Sequence, residues 1–182
     1  MRFDPRGHFE SLGRFSRRGV LGWAALAAFA KSARGDDAPT DTLAVLDAAA
    51  ARILPSDDGP GAREAKVGRF IARQLESDLR ELRPAFDQLA RLLDLWSRRS
   101  FKNGFAALSA TEQDTVLDQL AHGRIPVRGL PQEALFRALH TMVLEGFLSD
   151  PAHGGNDAQA GWRSIGFAEP HLRKPGGGHH GR

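Results

Sequence analysis

Between Thr40 and Leu148 apolar residues recur at intervals of three and four, and proline- and glycine-bearing stretches cut the runs apart. That spacing lines one face of a 3.6-residue helix, whereas a half-buried strand needs strict alternation. No alternating segment and no internal repeat is visible. The expected fold is therefore all-α, a single-domain helical bundle of about five helices over residues 39–170. An N-terminal segment (1–38) precedes it, an irregular strip closes it, and a glycine-rich flexible tail (171–182) follows.

The punctuation places the helices. Thr40 or Asp41 can cap a first helix through Leu43, Leu46, Ala50, Ile53 and Leu54, stopped by Pro55. The turn-rich loop 55–61 offers Asp57 and Asp58, but two carboxylates without a third ligand at a defined spacing read as a solvated turn. Ala62–Ser77 predicts a second helix with Val67, Phe70, Ile71 and Leu75 inside and Gly68 marking close packing. A third spans Leu79–Phe101, with Pro84 moving its true start towards Arg83 and Asn103-Gly104 ending it. Ser109 and Glu112 have capping-box spacing before a fourth helix that runs to His122-Gly123. A fifth starts at Pro131, with Leu135, Phe136, Leu139, Met142, Val143 and Leu144 expected inside and His140 as a hydrogen-bonded core histidine.

Charge narrows the function. The formal net charge is +3, yet residues 1–38 alone hold seven Lys/Arg against four acids, leaving eighteen of each sign in the rest. A neutral body has no phosphate-tracking stripe, so nucleic acid is not expected as a partner. Cysteine is absent, which excludes disulfides, thiolate catalysis, iron–sulfur clusters and covalent c-type haem in this chain.

The first 38 residues read as an address. Ser16-Arg17-Arg18 and Leu21 lead into an apolar stretch of eleven residues, Val20–Ala30, followed by Lys31. A charged front, paired arginines and a mildly apolar run match a twin-arginine export signal. The run is too short for a membrane span, which needs ~20 residues. This route carries proteins already folded, usually around a cofactor, but residues 39–182 show no cofactor-binding pattern. The folded cargo is therefore expected to be a second chain, with the periplasm as destination, either free or held at the inner membrane through the complex or an uncleaved leader.

The most individual stretch is Glu145–Trp162. Pro151 pushes Asp150 out of α geometry and stops the last helix. Gly154-Gly155-Asn156 then allows positive φ in succession, a tighter loop than a helix end requires. Trp162 adds a large apolar body with one N–H to satisfy. Glycines that follow a helix rather than lead from a strand into one do not make a phosphate loop. His179-His180 on a glycine tether lacks the surrounding shell a metal site needs. No nucleophile–base pair or metal-ligand set stands out, so catalysis by this chain alone is not expected. A helix stop lidded by Trp162 is the plainer reading of the stretch; a rigid loop presented to a partner is the functional one.

With these residues in hand, the sequence resembles the gluconate 2-dehydrogenase subunit 3 family, the small subunits of membrane-associated gluconate 2-dehydrogenase and related sugar dehydrogenases. The resemblance lies in the twin-arginine leader, the Pro55…Gly59-Pro60-Gly61-Ala62 loop, the Phe105…Leu108-Ser109 helix entry with Glu112-Gln113, and above all Asp150-Pro-Ala-His-Gly-Gly-Asn156 with Gly161-Trp162…Ile165-Gly166. His153 departs from the family, which often has Tyr there. The resemblance implies a non-catalytic chain without cofactor or metal, bound to a large FAD-containing flavoprotein of the glucose–methanol–choline type. A multihaem cytochrome c subunit or another acceptor would take the electrons, and the twin-arginine translocase would export the assembly. Asp150, Pro151, His153, Gly154, Gly155, Asn156, Trp162 and Ile165 are the expected partner-facing residues. Other readings are an export chaperone released after delivery, an enzyme using His140 or His153 with a metal, and a stand-alone helical periplasmic protein.

Overall fold

The computed structural model describes residues 40–167. The export signal expected at Ser16, Arg17, Arg18 and Leu21 and the tail at 171–182 lie outside them. Six α-helices and no strand occur among the described residues: α1 (Thr42–Ile53), α2 (Val67–Glu76), α3 (Arg83–Phe101), α4 (Ala110–Ala121), α5 (Gln132–Leu148) and the short α6 (Ala160–Ser164). The all-α expectation holds.

Helix α1 is the axis of the bundle and packs against α2, α3, α4 and α5. Its small side chains explain how. Ala48, Ala49 and Ala50 are buried beside Val45 and Leu46, letting neighbouring helices approach closely without leaving voids. Asp41 caps the helix by accepting from the Ala44 N–H at 3.1 Å. At Gly68 of α2, an added Cβ would stand 2.2 Å from the Asp47 carboxylate of α1, which is the close contact expected of that glycine. Phe86, Leu89 and Leu93 of α3 meet Leu135, Leu139 and Met142 of α5 in one core that includes Leu46 and Ile71. Burying each such side chain contributes roughly 1.5–3 kcal/mol before entropy is charged against it.

The junctions follow local chemistry in part. Pro84 sits in the first turn of α3, after a 3-10 turn at Arg80–Leu82. Ser109 and Glu112 form the reciprocal capping box at the start of α4. Between α3 and α4, the buried Asp94 accepts from the Phe105 N–H at 3.1 Å and from Arg98 Nε at 2.8 Å. Gln113 donates to the Phe105 carbonyl at 2.9 Å, so both backbone groups of that buried residue are satisfied.

Four expectations need correction. The second helix begins at Val67 rather than Ala62: residues 62–66 form a turn that ends with Lys66 in the left-handed region (φ 55°). The Ala65 carbonyl, which a longer helix would use internally, instead accepts from the Asp157 N–H at 3.1 Å. Helix α3 is closed by Lys102 in the left-handed region (φ 68°), whereas Gly104 has φ −67°. On α5, Leu144 is 39 % exposed and His140 is exposed, outside the core assigned to both. Finally, the strip after Asn156 contains a helical turn, α6, where irregular chain was expected.

Candidate functional site

The end of α5 and the chain that folds back on it form a corner in which side chains bond mainly to backbone groups. Helix α5 stops at Leu148, and Ser149 and Asp150 are extended. Asp150 accepts from the Ala152 N–H at 2.9 Å and so caps the single 3-10 turn Pro151–His153. Gly154, at φ 99°, reverses the chain, a conformation that costs an L-residue with a side chain 1 kcal/mol or more.

Gly155 has a different purpose. Its φ is not positive; instead the chain passes so near α5 that an added Cβ would lie 2.1 Å from the Gly146 carbonyl oxygen. Gly161 does the same against the Phe147 carbonyl, at 2.0 Å. A Cβ on Gly146 would meet the Phe70 ring of α2 at 2.8 Å. Three glycines thus let α2, α5 and the returning strip lie in direct contact.

Asn156 knits the corner. It is fully buried, with φ 48°. Its N–H donates to the Gly146 carbonyl at 2.9 Å, and its side-chain amide donates to the Ser149 carbonyl at 2.8 Å. Its Oδ1 accepts from the N–H groups of Gly161 (2.8 Å) and Trp162 (3.4 Å). The Trp162 indole N–H donates to the Leu148 carbonyl at 2.9 Å. The last carbonyls of a helix have no partner within it; here the corner supplies them. Ala158 and Gln159 also adopt positive φ, 50° and 59°, with the Ala158 carbonyl held by Arg163.

Two arginines of α2 brace this from the side. Arg69 donates through Nε to the Gly154 carbonyl at 2.7 Å and through its terminal nitrogen to Asp157 at 2.9 Å, and Arg73 donates to the Ala152 carbonyl at 2.7 Å. Sequence reasoning missed Arg69, Arg73, Asp157 and Gly146. The available signals were the i, i+4 spacing of the two arginines, which puts them on one helix face, and an isolated glycine inside a helical pattern.

The expected partner-facing residues therefore divide. Gly154, Gly155 and Asn156 are buried in this chain's own packing and shape the corner. Asp150 and His153 are exposed, Pro151 is half-buried, and Ile165 is 62 % exposed. Trp162 is half-buried and stacks edge-on against Phe167 at 5.3 Å between ring centroids. The arrangement can present a rigid surface, since nearly every polar group inside it already has a partner.

Elsewhere, an open depression of about 470 Å³ lies between the start of α1 and the end of α3, lined by Thr40, Asp41, Asp94, Arg98 and Lys102. Its Asp94 and Arg98 are paired with each other. Among the described residues, no three histidines or carboxylates converge as metal ligands. No helix among them is long and apolar enough to cross a membrane.

No curated protein and no solved structure matches this chain. One family model does, over residues 40–170, which takes in all five long helices and the corner. The chain belongs to the gluconate 2-dehydrogenase subunit 3 family, and with it to the subunits of a gluconate dehydrogenase complex.

Proposed function

We propose that this chain is the non-catalytic small subunit of an FAD-dependent gluconate or sugar dehydrogenase, which binds, stabilises and co-exports the large flavoprotein. The observation that carries the reading is the family match across the whole helical body. It is supported by the form of the corner, where buried polar groups are satisfied within the chain while Asp150, His153 and Ile165 are turned to the surface. Such a surface suits recognition by another protein. The flavin and the substrate pocket belong to the large glucose–methanol–choline-type subunit, and the electrons pass to a multihaem cytochrome c subunit or to another acceptor.

The paired arginines Arg17 and Arg18 give the assembly its twin-arginine address, so the flavoprotein folds around FAD in the cytoplasm and reaches the periplasm with this chain attached. The test is deletion of this chain in cells that make the dehydrogenase, followed by fractionation. The expected result is loss of dehydrogenase activity from the periplasmic and membrane fractions, restored by the wild-type chain but not by an Arg17→Lys/Arg18→Lys variant. Full activity in the deletion strain would overturn the reading. A flavoprotein that reaches the periplasm free of this chain would point to a released chaperone instead.

A further inference from the structure

The outer ridge of α5 is a row at i, i+4 spacing: the exposed His140, Leu144 and Leu148, preceded by Phe136, which is half-buried against the core. The Phe136 and His140 rings lie 6.2 Å apart between centroids, and Leu144 and Leu148 are 39 % and 40 % exposed. The indole of Trp162, bonded to the Leu148 carbonyl, carries the row across the corner, and Ile165 follows one turn further on. Five large hydrophobic side chains are exposed among the described residues, and three of them (Leu144, Leu148 and Ile165) belong to this row. A single exposed leucine is ordinary, but an apolar row continued over two elements marks a contact surface.

Beside the row stands Glu145. It is half-buried, no hydrogen bond or ion pair within the described residues engages its carboxyl group, and burial pushes that group above the usual carboxylate range. A carboxylate partly withdrawn from water without a cation is electrostatically incomplete, and a guanidinium or ammonium brought by a partner completes it.

We propose that the ridge Leu144–Leu148, continued by Trp162 and Ile165, is the seat of the large flavoprotein subunit, whose matching patch is apolar and carries an arginine or lysine that meets Glu145. This rests on the subunit reading above, because family membership supplies the partner and the ridge supplies its place and chemistry. The glycine-tight corner then holds Trp162 and Ile165 in register with α5, and the arginines of α2 hold the corner.

The experiment is co-production of the tagged full-length chain with the flavoprotein, identified after capture by flavin absorbance and by oxidation of gluconate or a sugar. Leu144→Asp combined with Leu148→Asp is expected to lower affinity for the flavoprotein roughly 100-fold or more, as central apolar contacts do. Glu145→Arg, which leaves the apolar row intact, is expected to lower it about 10-fold at low salt. Leu95→Asp, on the exposed side of α3, is expected to leave it unchanged. These losses, with melting temperatures unchanged, support the ridge.

Full recovery of flavoprotein by both ridge variants overturns the ridge and leaves the subunit reading standing, whereas a wild-type chain that recovers none overturns both. A wild-type chain that dimerises, with a double variant that is monomeric yet still captures flavoprotein, assigns the ridge to self-association and overturns the proposal. So does a loss of amide protection at residues 144–148 of the free chain when residues 168–182 are removed, since the chain's own terminus would then be the occupant.

Discussion

Replacing Asn156 by Ala tests whether the corner is built as described. The substitution removes the side-chain bonds to the Ser149 carbonyl and the Gly161 N–H, both 2.8 Å, and the weaker 3.4 Å bond from the Trp162 N–H. The Gly161 N–H is buried, and orphaning such a group costs about 1–3 kcal/mol. The half-buried Ser149 carbonyl adds about 1 kcal/mol. Position 156 also has φ 48°, where Ala is less favourable than Asn by about 1 kcal/mol. The sum, about 3–5 kcal/mol, is a large share of the 5–15 kcal/mol typical of a whole domain. Followed by circular dichroism, it corresponds to a fall in melting temperature of about 10–20 °C for a body of this size. If the corner detaches as a local unit before the helices melt, the loss appears as faster amide exchange at residues 154–162. Asn156→Gly keeps the backbone conformation and loses only the bonds, so it should recover about 1 kcal/mol relative to Ala. An Asn156→Ala protein with unchanged melting and unchanged exchange at the corner would refute the reasoning.

Two further outcomes follow from the same geometry. Gly155→Ala drives a Cβ into the Gly146 carbonyl, a backbone atom that cannot rotate aside, and should cost about 1–3 kcal/mol or more in urea unfolding. Gly59→Ala, with nothing within 4 Å, should stay within about 0.5 kcal/mol, and equal effects at the two sites would contradict the packing described. Glu145, whose carboxyl burial holds above its ordinary range, keeps its proton to a higher pH in the folded chain than in the unfolded one. Stability of the free chain therefore falls as pH rises through that window and stays lower above it. Glu145→Gln should flatten this dependence and raise the melting temperature at neutral pH, and identical pH profiles for the two proteins would show that the group is not desolvated.

Much of the fold was legible because its causes are local. The three-and-four spacing specified helices, the Asp41 cap and the Ser109–Glu112 box set two starts, and Pro84 set a third, each through bonds or sterics within a few residues. Gly68 announced a close helix contact because an isolated glycine in a helix has few other uses. The stretch from Asp150 to Trp162 stood out for the same reason: proline, paired glycines and asparagine restrict the backbone whatever surrounds it.

What the sequence could not settle depends on groups far apart in the chain. Lys66 takes the left-handed conformation inside what periodicity reads as one continuous helix, and Lys102 takes it at the end of α3 where Asn103-Gly104 was the expected stop, so tertiary contacts overrode propensity. His140 and Leu144 satisfy the helical period as well as their buried neighbours do, and only the placement of the other helices left their face of α5 uncovered. The purpose of Gly155 lies in the Gly146 carbonyl, nine residues earlier, and the brace of the corner lies in Arg69 and Arg73, some eighty residues away. Periodicity and punctuation determined that this chain is a helical bundle with a rigid C-terminal corner. Which side chains that corner hides, and which it turns outward with Glu145 beside them, was decided only when α2 and α5 packed together, because burial is a property of neighbours and not of sequence.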